Sequence, residues 1–144
     1  IRLSLVGSEM CIRDSSDTFI KVGASSINLN ESFTAYFSNY GKINVDIFAP
    51  GVDIYSTMPN NKYKSQDGTS MSSPVVAGVA SLIMSYFPKL SAKKVKEIIL
   101  ESGIEVDLKI GNLGENKQFK EYSKSGKLVN AYNALILASK SKRK

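Results

Sequence analysis

Residues 66 to 88 read QDGTSMSSPVVAGVASLIMSYFP, a glycine-centred polar turn running straight into a long apolar segment. Met71, Val75, Val76, Val79, Leu82, Ile83 and Tyr86 recur at helical spacing but cover more than one face, and Ala77, Gly78 and Ala80 fill the remainder with small side chains. The pattern predicts a helix from about residue 70 to 87. A helix apolar nearly all round is expected inside a core, because no face of it can meet water cheaply. Pro74 is expected in its first turn, where a missing N–H costs little, and Pro88 closes the segment.

The rest of the chain reads as shorter elements around that helix. Residues 18 to 25 (TFIKVGAS) are apolar and β-branched, which suits a buried strand. Residues 31 to 41 predict a loop with a possible strand inside it. Residues 43 to 59 read as strand, Pro50-Gly51 turn and strand, with Gly51 expected at positive φ in a type II turn. Residues 61 to 68 form a polar connection that could belong to a hairpin. A second helix is expected from about residue 92 to 102, with Ser91 as N-cap, Gly103 as terminator and an apolar stripe of Val95, Ile98, Ile99 and Leu100. Residues 104 to 127 look polar and irregular, and Asn130 caps a last helix over about 131 to 139. Strands followed by helices, with no internal repeat, predict an α/β layer architecture.

With 144 residues, 42% of them hydrophobic and 22% charged, the chain can form one globular domain with a real core. No segment reaches the roughly 18 apolar residues a membrane span needs, so no membrane partner is expected. The net charge is +6, but the lysines are dispersed and only the basic tail at residues 140–144 forms a run. Such a terminus reads as a solvated end, and no nucleic-acid partner is expected. The chain has no histidine and a single cysteine, Cys11, which argues against a zinc enzyme and a disulfide framework. The opening IRLSLVGSEMCIRDS (residues 1–15) resembles translated sequencing-adaptor DNA and is expected to be non-native, Cys11 included.

Ser70 sits where turn becomes helix, and a hydroxyl there can be a helix cap or a nucleophile. Gly68 allows a tight turn and close approach of another chain. The helix start offers unsatisfied N–H groups and partial positive charge beside Ser70, so an oxyanion forming there could accept the N–H of Ser70 itself. Composition alone favours the cap.

The segment GTSMSSPVVAGVASLI resembles the nucleophile segment of the subtilisin-like serine proteases, the subtilases, through Gly68, Thr69, Ser70, Met71, Ser72, Pro74, Ala77 and Gly78. FIKVGAS, FSNYG and VDIFAPGVDIYST before it, and KLSAKKVKEIIL and GKLVNAYNAL after it, extend the likeness to residues 17 to 138. Val75 departs from the histidine many members carry and reads as a packing variant. The resemblance implies a partial subtilisin-like three-layer α/β fold with a mainly parallel sheet, residues 16–139 being the C-terminal portion of a catalytic domain. It implies acyl transfer through Ser70, with Gly68, Thr69 and the Ser70 backbone supporting an oxyanion and Met71 lining the site. In the Asp, His, Ser chain order of that family the aspartate and histidine precede the serine. Nothing here is histidine, and Asp17, Asp46, Asp53 and Asp67 do not sit in the family's aspartate motif; nor do Asn39 and Asn44 stand in for its oxyanion asparagine. The chain alone is therefore expected to be inactive.

Partners implied are a peptide or protein substrate and the upstream part of its own catalytic domain. No cofactor or metal is expected, since no Asp/Asn cluster has calcium-ligand spacing. Export or a cell-envelope location follows from the resemblance only. The alternative is a non-catalytic subtilase-like module that binds peptides or acts as a scaffold. Rival hydrolase patterns fail: position 72 is Ser where an α/β-hydrolase elbow needs Gly, and SAKK at 91 to 94 lacks the S-x-N that should follow it, so Ser91 reads as a cap.

Overall fold

The computed structural model describes residues 17–111 and 116–141; the expectations for residues 1–15 and most of the basic tail lie outside them. Strand β1 (Val22–Ser25) and β2 (Ile47–Pro50) pair in parallel, Ala24 opposite Ala49. A β3–β4 hairpin (Ile54–Met58, Lys62–Gln66) follows, then the long helix α1 (Thr69–Tyr86) and α2 (Ala92–Ser102). Short strands β5 (Ile104–Glu105), β6 (Lys109–Ile110), β7 (Lys117–Gln118) and β8 (Lys127–Leu128) lead to α3 (Ala131–Ser141). The main sheet has the order β1-β2-β8-β5, parallel except for β5 at one edge.

Side-chain alternation on β2 divides the core in two. Ile47 and Ala49 point to one face, where Val76, Val79 and Ile83 of α1, Val95, Ile98 and Ile99 of α2, and Ala134 and Ala138 of α3 meet them. Phe48 points to the other face and packs with Phe33, Val45, Ile110, Phe119 and Tyr122. The rings of Phe33 and Phe48 each lie 5.1 Å from that of Phe119. The three helices thus cover one face of a mainly parallel sheet, the partial α/β arrangement expected, and the second apolar cluster covers the other face.

This second cluster corrects the reading of residues 104 to 127 as merely irregular: Ile110, Phe119 and Tyr122 are buried. Ile110 ends the alternating run IEVDLKI (104–110), a period-2 signal that could have announced it, whereas Phe119 and Tyr122 are isolated apolar residues among polar neighbours. Caps behave as read. Ser91 Oγ accepts from Lys94 N (3.2 Å) and Asn130 Oδ1 from Asn133 N (2.7 Å). The connection before α1 is a hairpin whose three-residue loop, Pro59 to Asn61 between the paired Met58 and Lys62, turns with Asn60 and Asn61 left-handed at φ 63° and 56°.

Three expectations for α1 and its approach are corrected. Positive φ between β2 and β3 falls on Asp53 (56°), not on Gly51, so no type II turn is centred there. Pro74 is the sixth helical residue rather than part of the first turn, and its missing N–H leaves the Ser70 carbonyl without its intrahelical donor. Finally, α1 is buried along one face only, by Ser72, Val76, Val79 and Ile83. Pro74, Ala77, Gly78, Ser81 and Ser85 line the opposite, exposed face, where a Cβ added to Gly78 would meet nothing within 4 Å.

Candidate functional site

The carboxyl ends of β1 and β2 converge on the start of α1. Gly51 N donates to Ser25 O (2.9 Å), and Gly68 N donates to Gly51 O (2.8 Å). These two rungs carry the sheet's hydrogen bonding past the strands and lash the turn at Gly68 to them. Asp67 Oδ1 accepts from Asp53 N (2.7 Å), which fixes the base of the β3–β4 hairpin against the same turn.

Gly51 is required here for closeness, not for its dihedral. A Cβ on it would stand 2.1 Å from Ser72 Oγ, 2.7 Å from Ala24 Cβ and 2.9 Å from Gly68 O. The contact is long-range, so nothing local in the sequence announces it; only the Pro-Gly pair draws attention to the position. Gly68 itself has φ 156° and ψ 156°, a conformation open in practice to glycine alone. It is the residue that precedes the helix, and no side chain caps it.

Ser70 is therefore not a cap. It is the second residue of α1, and it is exposed. Met71 N is taken by Gly68 O (3.0 Å), whereas the N–H groups of Thr69 and Ser70 find no backbone acceptor among the described residues. Both point out of the positive end of an 18-residue helix. Thr69 and Met71 are half-buried, and Met71 Sδ lies under Gly68, 3.2 Å from where a Cβ there would be. The structure thus brings together Gly68, Thr69, Ser70 and Met71, with Gly51 and Ser72 as the supports that sequence reasoning missed. Ser72 Oγ and Ser25 Oγ are wholly buried and find no hydrogen-bond partner among the described residues, where the support beneath the turn is a steric fit.

What stands at this junction is an exposed hydroxyl next to open backbone donors, the geometry an acyl-transfer nucleophile needs on its own side of the reaction. Among the described residues no group of three or more Asp, Glu or Cys side chains is placed to hold a metal ion.

The chain belongs to the subtilase family, whose sequence model matches residues 8–130. It is 50% identical to subtilisin DY of Bacillus licheniformis over 80 residues, 56% of this chain and 28% of the relative. It is 35% identical to the cell wall-associated protease of Bacillus subtilis over 108 residues, 75% of this chain and 12% of that one. Among solved structures, the prenylagaramide maturation protease PagA superposes with a TM-score of 0.66 at 26% identity, over 86% of this chain and 43% of that chain. The A-subunit of the AB5 toxin from E. coli superposes at 0.66 and 25% identity, over 83% and 38%. The chain therefore spans well under half the length of these relatives.

Proposed function

We propose that the chain is the nucleophile-bearing C-terminal portion of a subtilase catalytic domain and that Ser70 is its nucleophile. The observation that carries this is the exposed Ser70 hydroxyl at the start of α1, beside its own N–H, which no backbone acceptor among the described residues claims. Ser70 Oγ attacks a peptide carbonyl carbon, and the hydroxyl proton passes to a histidine supplied by the upstream part of the domain. The carbonyl oxygen gains the negative charge and accepts the Ser70 N–H. Collapse expels the amine with that proton, and water then releases the acyl group from Ser70. Gly68 and Thr69 hold the approach open, and Met71 lines it.

The bare face of α1 supports the second half of the reading. Its spine of Pro74, Ala77, Gly78, Ser81 and Ser85 admits close backbone approach, and Leu82, Met84 and Tyr86 flank it exposed. The upstream part of the domain covers this face and brings the histidine and aspartate to Ser70. The substrate is a peptide or protein, and the location is the cell exterior or envelope, as for the cell wall-associated relative.

The test compares the parent protein with its Ser70→Ala variant and with the isolated chain on a peptide substrate. Turnover in the parent alone is the expected result. Serine-dependent turnover by the isolated chain, or a Ser70→Ala parent as active as the unaltered one, would refute it. A parent lacking turnover altogether would favour the binding-module alternative.

A further inference from the structure

At the amino ends of β1 and β2, away from Ser70, a cleft of about 480 Å³ opens between the segments leading into those strands and the first turns of α2. Five lysines line it, Lys21, Lys42, Lys93, Lys96 and Lys124, against three carboxylates, Asp17, Asp46 and Glu97. The carboxylates are already engaged. Asp17 pairs with Lys93 at 3.0 Å, and Glu97 pairs with Lys94 at 3.0 Å, outside the cleft lining. Asp46, almost wholly buried, accepts from Lys21 N at 2.9 Å and lies 3.6 Å from Lys96 Nζ. Among the described residues no carboxylate comes within ion-pair distance of Lys42 or Lys124, and both are exposed at the rim. The field in the cleft is felt by Asp17: after the hydrogen bond and charge of Lys93, Lys96 and Lys124 also hold its carboxyl below the ordinary value.

We propose that this cleft is a second site, one that takes a soluble oligophosphate. Lys21 Nζ donates to the Ile43 carbonyl and Lys96 Nζ to the Phe19 carbonyl, so the donors offered to a ligand are chiefly the ammonium groups of Lys42 and Lys124, with no guanidinium fork, which suits a compact multiply charged anion rather than a planar carboxylate. The recess lies between strand ends and a helix rather than on a plane, so it admits a small anion and not a bilayer. Phe19, Ile43 and Leu100 supply the apolar part of its lining beside the charged groups. Lys42 and Lys124 supply the charge that no carboxylate among the described residues offsets, while the Lys96–Asp46 pair and the Lys21 backbone hold the floor in shape.

The experiment titrates the full 144-residue chain with inorganic tripolyphosphate by calorimetry, at low and high sodium chloride. Saturable binding that weakens with salt is expected. Lys42→Gln with Lys124→Gln should weaken it by about tenfold, two point charges lost at contact range. Asp17→Asn should act in the opposite sense, releasing Lys93 and tightening binding several-fold, a sign that mere structural damage does not produce. Circular dichroism confirms that each variant remains folded. Absence of saturable binding up to about 1 mM, the weak limit of a specific site, overturns the proposal. Equal affinity in the double variant overturns it too, as does binding of anionic phospholipid vesicles without binding of tripolyphosphate.

Discussion

The two faces of α1 are alike in carrying no charged side chain, and they meet opposite fates in the structure. On the inner face Val76, Val79 and Ile83 sink among the sheet and the other two helices. On the outer face Ala77, Gly78 and Ser81 face open space, flanked by Leu82 at 38% and Met84 at 47% exposure. On the proposal that an upstream part of the domain covers it, the uncharged outer face records what the whole domain demands of the helix, while burial records what the described residues supply. The inner face is satisfied by residues of the same chain; the outer one has its requirement written and no partner described.

The largest expected effect tests the inner face against the outer. Ile83 is fully buried, so Ile83→Ala should destabilise the chain by about 2–5 kcal/mol through lost transfer energy and the cavity left behind. Leu82, one residue before it, should cost no more than about 0.5 kcal/mol as Leu82→Ala in the isolated chain. Chemical denaturation of both variants reads the difference. In the parent protein the gap should narrow, because a covered Leu82 then loses real contacts. An unchanged gap would mean that the outer face stays bare there as well.

Glycines sharpen the same contrast at smaller scale. Gly51 presses on Ser72 at the inner foot of α1, and Gly51→Ala must displace Ser72 Oγ, Ala24 Cβ or the Gly68 carbonyl. Overpacking of this kind costs about 1–3 kcal/mol, and here it also moves the turn that carries Ser70. Gly78→Ala on the outer face should instead stabilise the isolated chain by about 0.5–1 kcal/mol, since the methyl meets nothing and the helix gains a better former. In the parent the sign should reverse as the new Cβ enters a close helix contact. Thermal melts of the two variants in both proteins decide it; stabilisation by Gly78→Ala in both would argue against any close packing on that face.

These contrasts also mark how far the sequence could be read. Elements with local signals came through: Ser91 and Asn130 as caps, the apolar stripe of α2, and the break at Pro88. The gapless segment around Ser70 put the hydroxyl at a helix start, where the structure has it. What could not be read depended on distant contacts. Whether α1 is covered on one side or two is a property of its neighbours. Phe119 and Tyr122 enter the second core from a stretch without periodicity, because rings on Phe33 and Phe48 wait for them from elsewhere. Gly51 looked like a turn residue because the Ser72 hydroxyl that demands its bareness lies 21 positions on.

The smallest expected effect belongs to neither face of α1 and so serves as their control. Asp17 and Lys93 tie the approach to β1 onto α2, both exposed. The hydrogen bond and then the charge of Lys93 hold the Asp17 carboxyl below its ordinary 3.8, and the same two contacts with Asp17 raise Lys93 above 10.5. The depressed acid contributes stability that is complete above 3.8 and is lost as pH falls through its lowered value. The raised base contributes stability that is complete below 10.5 and is lost as pH rises through its raised value. Across neutral pH the contribution is flat. Asp17→Asn should accordingly lower the melting temperature slightly and by the same amount throughout the neutral range, with the difference vanishing in strong acid and shrinking in about 1 M salt, where screening reaches roughly 3 Å. A difference that grows toward acid would mean that Asp17 is held by something other than Lys93, and that the segment entering β1 rests on contacts other than this pair.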